Sequence, residues 1–141
     1  MEKTKARKLY EDYNLEPSDI FSLKFGNKSI PLILRSGIEK IQAKRKLYVT
    51  HELLSSDLSN IIIKTTAEDK ETGIFVETFG EASPKNTTQS YPVAIAEKRG
   101  LSRAVLKITG FYENGFYSED EFSDEYKEAI KNKSDVSKFI V

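Results

Sequence analysis

The chain has no cysteine and no tryptophan, and only one histidine and one methionine among its 141 residues. Without cysteine there can be neither a disulfide nor a thiolate metal site. One histidine, His51, makes neither a histidine-rich metal centre nor a Ser-His-Asp triad, and within a strand-like segment it reads as structural. No apolar run approaches the ~18 residues that suggest a membrane span. The opening MEKTKARK lacks the apolar centre of a signal peptide. A cytoplasmic location is therefore expected, where the sequons at Asn27, Asn86 and Asn132 have no glycan to accept. Net charge is absent as well: 22 Lys and Arg balance 22 Asp and Glu, so the total makes no case for nucleic acid. Nucleotide-binding fingerprints are missing. GNKS at 26–29 is similar to the end of a phosphate-binding loop, but Phe21 stands where that loop needs its first glycine. ATP-driven chemistry is disfavoured. Glu77, Glu81 and Glu97 lack any recognisable metal spacing, no nucleophile has a base, and no catalysis or cofactor is expected.

What is present is enough for one domain spanning 1–141, with a core at about 31–110 and an acidic helical segment at about 118–141. The charges are unevenly spread. Lys24 to Lys46 contains seven basic residues and one acid, Glu39, whereas Glu113 to Glu125 contains six acids and no base. This polarity allows a local basic surface with an acidic flank.

Residues 3–14 suit a short helix with Leu9, Tyr10 and Tyr13 on its apolar side. Phe21, Leu23 and Phe25 alternate as in a strand before Gly26-Asn27. Residues 31–46 predict a second helix opened by Pro31, with Leu34, Ile38 and Ile41 on one face and Lys44-Arg45-Lys46 at its negative end. Three strands follow, at 47–53, 60–67 and 73–79, with gaps that fit an antiparallel meander. After a turn-rich loop, Ser90 to Thr109 reads as one long helix, with Pro92 in its first turn and Gly110 as its stop. At about 100° per residue, Val93, Ala94, Leu101, Ala104, Val105 and Ile108 share a face, while Ile95 and Leu106 form a narrower strip. Arg99, Arg103 and Lys107 make a basic stripe roughly opposite the main face. Two apolar strips mean a helix gripped on two sides, with one charged edge for a partner. Glu97 projects into the main apolar face and should be paired there. Gly100 costs about 1 kcal/mol relative to alanine inside a helix and permits close backbone approach. Beyond it, Asn114-Gly115 marks a tight turn, and Ser118 with Glu121 forms a capping box opening a last helix to about Lys131.

The fold class read from this periodicity is α+β: a β-β-β-α core, a three-stranded antiparallel meander with the long helix across it, plus flanking helices. Residues 79–122 add a resemblance. The run YPVAIAEKRGLSRAVLKITGFYENGFYSEDE, preceded by FGEASPKN, resembles the single-strand annealing recombination proteins of phages and mobile elements, the Erf and eukaryotic Rad-type superfamily. It covers about a third of the chain, and Gly100 departs from the alanine of the pattern. The resemblance implies the same β-β-β-α core and an ATP-independent protein that anneals complementary strands. It also implies assembly into rings or filaments with single-stranded DNA along a basic groove. A phage exonuclease or a host single-strand-binding protein is a further partner to consider.

The residues expected to contact nucleic acid are Lys44, Arg45, Lys46, Tyr91, Lys98, Arg99, Arg103 and Lys107, with Tyr91 stacking a base. For Arg99 and Arg103 an intersubunit ion pair competes with a phosphate contact. The alternative from another class is a structural or regulatory oligomer whose long helix makes only protein contacts. A weaker third is a metal-dependent nuclease accessory.

Overall fold

The structure is a computed structural model that describes residues 4–121, apart from 26, 58, 88 and 89 and the side chain of Phe25. It is mixed α+β, with three α-helices and two three-stranded sheets among the described residues. The helix α1 spans Lys5–Asp12 and is capped by Thr4, whose Oγ1 accepts the Arg7 N–H at 3.1 Å. Strands β1 (Ile20–Phe25) and β2 (Lys28–Ile33) form an antiparallel hairpin, and α2 runs Arg35–Arg45. Then come β3 (Tyr48–Asp57), β4 (Asn60–Asp69), β5 (Ile74–Ala82), α3 (Pro92–Ile108) and the short β6 (Tyr117–Ser118).

The meander is present as β3-β4-β5, every pairing antiparallel, with a bulge between Leu53 and Ser55. Alternation along β4 decides which face is covered: Ile61, Ile63, Thr65, Ala67 and Asp69 are buried and the intervening residues are not. On β5, Thr78, Gly80 and Ala82 share the covered face. The α3 helix lies over that face, above β4 and β5. Its approach is close because neither side has bulk at the crossing. A Cβ on Gly80 would overlap the Ala96 carbonyl oxygen, and one on Gly100 would overlap Thr65 Oγ1. Thr78 Oγ1 donates to the Gly100 carbonyl at 2.8 Å, which fixes helix to sheet.

The second grip on α3 is the main hydrophobic cluster. Val105 and Leu106 meet Ile20 and Ile33 of the hairpin, Ile38 and Ile41 of α2, and Phe111 and Phe116. The two phenylalanines stack edge to face at 5.3 Å on either side of the turn at Gly115 (φ +86°). The chain then adds β6 parallel to β2.

The second helix is shorter than its sequence predicts. Residues 28–33 form a strand, with Pro31 opposite Ser22, and the helix starts at Arg35. Its start is organised from outside by Asp19. That carboxylate accepts Ser36 Oγ at 2.6 Å and Lys40 Nζ at 2.7 Å, and its backbone carbonyl accepts the Leu34 N–H. Ser118 does not cap Glu121: its Oγ accepts the Asp120 N–H, and Glu119–Glu121 is a single 3-10 turn. The expected helix to about Lys131 lies outside the described residues, as does most of the 118–141 segment. No described helix is long and apolar enough to cross a membrane.

Candidate nucleic-acid interface

The eight residues expected at the interface divide by chemistry. The three arginines are used inside the protomer. Arg99 is 7 % exposed. Its Nε donates to the Asp120 carbonyl at 3.0 Å, Nη1 to the Glu81 carbonyl and Asn86 Oδ1 at 2.8 Å each, and Nη2 to the Asn86 carbonyl at 2.9 Å. It thereby ties the end of β5, the 83–87 turn and the segment after β6 to one point on α3. Arg103 lies between two carboxylates, with Glu81 at 2.8 and 3.0 Å and Glu121 at 2.6 and 2.9 Å. Nη1 also donates to the Phe79 carbonyl. Its hydrogen bond holds the Glu81 carboxyl below the usual range, against the opposing effect of burial. Arg45 donates to Tyr13 Oη at 3.0 Å and to Asp69 at 3.1 Å.

The basic stripe opposite the apolar face is therefore corrected at Arg99 and Arg103. Their partners are β5 and the acidic segment just after β6. The physical reason is the guanidinium fork, which satisfies several carbonyls and a bidentate carboxylate at once and is more weakly hydrated than an ammonium. Because among the described residues β5 pairs only with β4, these two arginines also supply donors to two carbonyls of an edge strand.

Lysines are placed differently. The side chains of Lys44, Lys46, Lys98 and Lys107 make no ion pair or hydrogen bond among the described residues. Lys44, Lys46 and Lys107 are exposed and Lys98 is half-buried. Tyr91, at the start of α3, is half exposed. Seven positions on, about two helical turns, Lys98 shares its face of α3. Lys46 closes α2 with a φ of +53°, and its N–H reaches the Ala43 carbonyl. Glycine is the usual residue at such a left-handed helix end. Lys107 borders an open groove of about 800 Å³ along β5 that is also lined by Glu77, Glu81, Arg103 and Tyr112. That groove is mixed in charge and does not by itself attract phosphate.

Glu97 also departs from expectation. It is not buried in the apolar face; its side chain is 55 % exposed, with Oε1 3.9 Å from His51 Nε2. The first turns of α3 project beyond their cover, leaving Val93 46 % exposed too. His51 lies on β3, as its strand-like segment predicts, with its Nδ1 2.9 Å from Thr65 Oγ1. No group of His, Cys, Asp or Glu that could hold a metal ion occurs among the described residues.

Compared with protein-family models, curated proteins and solved structures, the chain matches none. By sequence, Glu81 reads as a carboxylate without metal spacing, Asn86 as part of a turn-rich loop and Glu121 as the capping-box partner of Ser118, while Ser102 and Asp120 are not singled out. The signal that could have joined them is the acidic run that follows the basic helix. The structure folds the two onto each other, with Ser102 Oγ donating to Asp120 at 2.7 Å and Tyr112 Oη to Glu121 at 3.2 Å.

Proposed function

We propose that this chain binds single-stranded DNA and anneals complementary strands without ATP, as an oligomer serving phage-type recombination or repair. The observation that carries the reading is the division just described. On a β-β-β-α core the arginines are spent internally while Lys98, Lys107 and Tyr91, within the segment that resembles annealing proteins, and Lys44 and Lys46, at the end of α2, stay available. Phosphate contact passes to the lysines, whose hydrated ammonium groups neutralise a backbone without fixing its geometry. Tyr91 offers a ring to one base. Lys46 supports this role: a left-handed residue with a Cβ costs roughly 1–2 kcal/mol, and glycine would avoid that cost.

Each protomer contributes few contacts, so useful affinity comes from many copies along one strand. Neutralised strands repel each other less, and exposed bases can then sample complements. Arg99 and Arg103 act as architecture: Arg99 holds the turn at 83–87, and both tie β5 and the segment after β6 to α3.

Mixing dye-labelled complementary oligonucleotides without nucleotide or metal tests the reading. The expected result is faster pairing with protein than without, at low salt. Failure both to bind single strands and to accelerate pairing would overturn it. The second reading, a structural or regulatory oligomer with protein contacts only, is favoured by the internal pairing of the arginines and by exposed Tyr48, Phe75 and Phe79. Salt separates the two, because release of counterions from DNA gives a steep dependence that an apolar protein contact lacks.

A further inference from the structure

The uncovered face of the β3-β4-β5 sheet has a composition that the DNA reading does not use. The register places three rows across it: Tyr48, Glu68 and Phe75; Thr50, Thr66 and Glu77; Glu52, Lys64 and Phe79. Tyr48, Phe75 and Phe79 are each at least half exposed. Adjacent strands lie about 4.8 Å apart, so two rings flank the Glu68 carboxylate in the first row. Lys64 is shared between Glu52 at 3.5 Å and Glu77 at 3.0 Å, and Glu81 at the end of the face is held by Arg103. Glu68 has no ion pair among the described residues.

Three occupants can be weighed. A nucleic-acid strand would find rings to stack on, but each of the three rows also carries a carboxylate that repels phosphate. A second copy laid face to face would set carboxylates against carboxylates. A cationic segment satisfies both features at once, since an ammonium or guanidinium is attracted by ring faces and by carboxylates. The chain already displays this chemistry: Lys70 Nζ stands 4.2 Å from the centroid of the Tyr48 ring.

We infer that this sheet face docks a lysine- or arginine-bearing segment of a partner protein, with one cation seated between the Phe75 ring and the Glu68 carboxylate. The inference is independent of DNA binding. Lys70 is then a resident competitor for the same row.

The probe is a fluorescein-labelled peptide of alternating lysine and serine, followed by anisotropy at about 50 mM salt, where screening is weak. An acetyl-lysine version is the control. Saturable binding is expected for the lysine peptide and none for the acetylated one. Phe75→Ala and Glu68→Gln should each weaken it by about threefold to tenfold, while Lys70→Ala should tighten it. Melting curves of the variants show that the sheet is intact. Three results would overturn the inference: no saturable binding, equal binding of the acetylated peptide, or indifference to both face substitutions. Loss of self-association in Phe75→Ala or Glu68→Gln, seen by sedimentation, would assign the face to a second copy and overturn it equally.

Discussion

Arg103 and Lys107 sit one turn apart on α3 and have opposite fates, although a count of charges treats them alike. A guanidinium can leave water if its planar fork is filled, and Arg103 has two carboxylates and a carbonyl to fill it. Arg103→Ala is therefore expected to lower stability by about 2 kcal/mol, because Glu81 and Glu121 are left facing each other. Arg103→Lys should recover only part of this. Chemical denaturation measures both, and an unchanged midpoint would contradict the internal role. Asp19 makes a pH prediction. Burial alone would raise its carboxyl, but hydrogen bonds from Lys40, Ser36 and the Glu16 N–H outweigh that and hold it below its ordinary value. Glu81 is lowered as well. Groups lowered in the folded state contribute stability that is present above the unfolded carboxylate range, near pH 4, and lost as pH falls through the folded values. Melting temperature should thus drop as pH falls below about 4. Asp19→Asn, which cannot titrate, should reduce the pH dependence while costing stability at neutral pH.

At the scale of elements, periodicity located the meander and the long helix because β4 alternates cleanly between covered and open faces and α3 repeats apolar residues at helical spacing over many residues. It placed the end of β2 inside a helix because Pro31 is equally at home in a first helical turn and at a strand position where its missing N–H is not needed. Glu97 was misplaced for a related reason: a helical wheel gives a residue's direction but not where the cover ends. The close crossing of α3 on its sheet was legible only at Gly100, as an oddity whose reason is Thr65. Gly80 shows the crossing more sharply, since a side chain there meets backbone. Gly80→Ala should cost on the order of 2–3 kcal/mol, in line with overpacking of a filled core. Gly100→Ala should be milder, because Thr65 Oγ1 can turn away at the expense of its His51 contact and the helix gains about 1 kcal/mol of propensity. Thermal melts of the two variants check this order; equal or reversed losses would contradict the packing described.

On the scale of the whole molecule, zero net charge conceals a basic helix and an acidic segment that neutralise each other within one protomer. Sequence showed both runs but not that they meet, because the contact joins residues about twenty positions apart across a turn and a short strand. What remains outside is a set of lysines, and the proposed function rests on them. Simultaneous replacement of Lys44, Lys46, Lys98 and Lys107 by alanine should leave the melting curve nearly unchanged, since three of the sites are exposed and the half-buried Lys98 makes no ion pair among the described residues. The most direct measurement is the salt dependence of single-strand binding for the native chain and this fourfold lysine variant. The account expects affinity that falls steeply with salt for the native chain, and a slope flatter by about 0.7 for each phosphate contact removed. Absence of binding at low salt, or the same slope in both proteins, would contradict it.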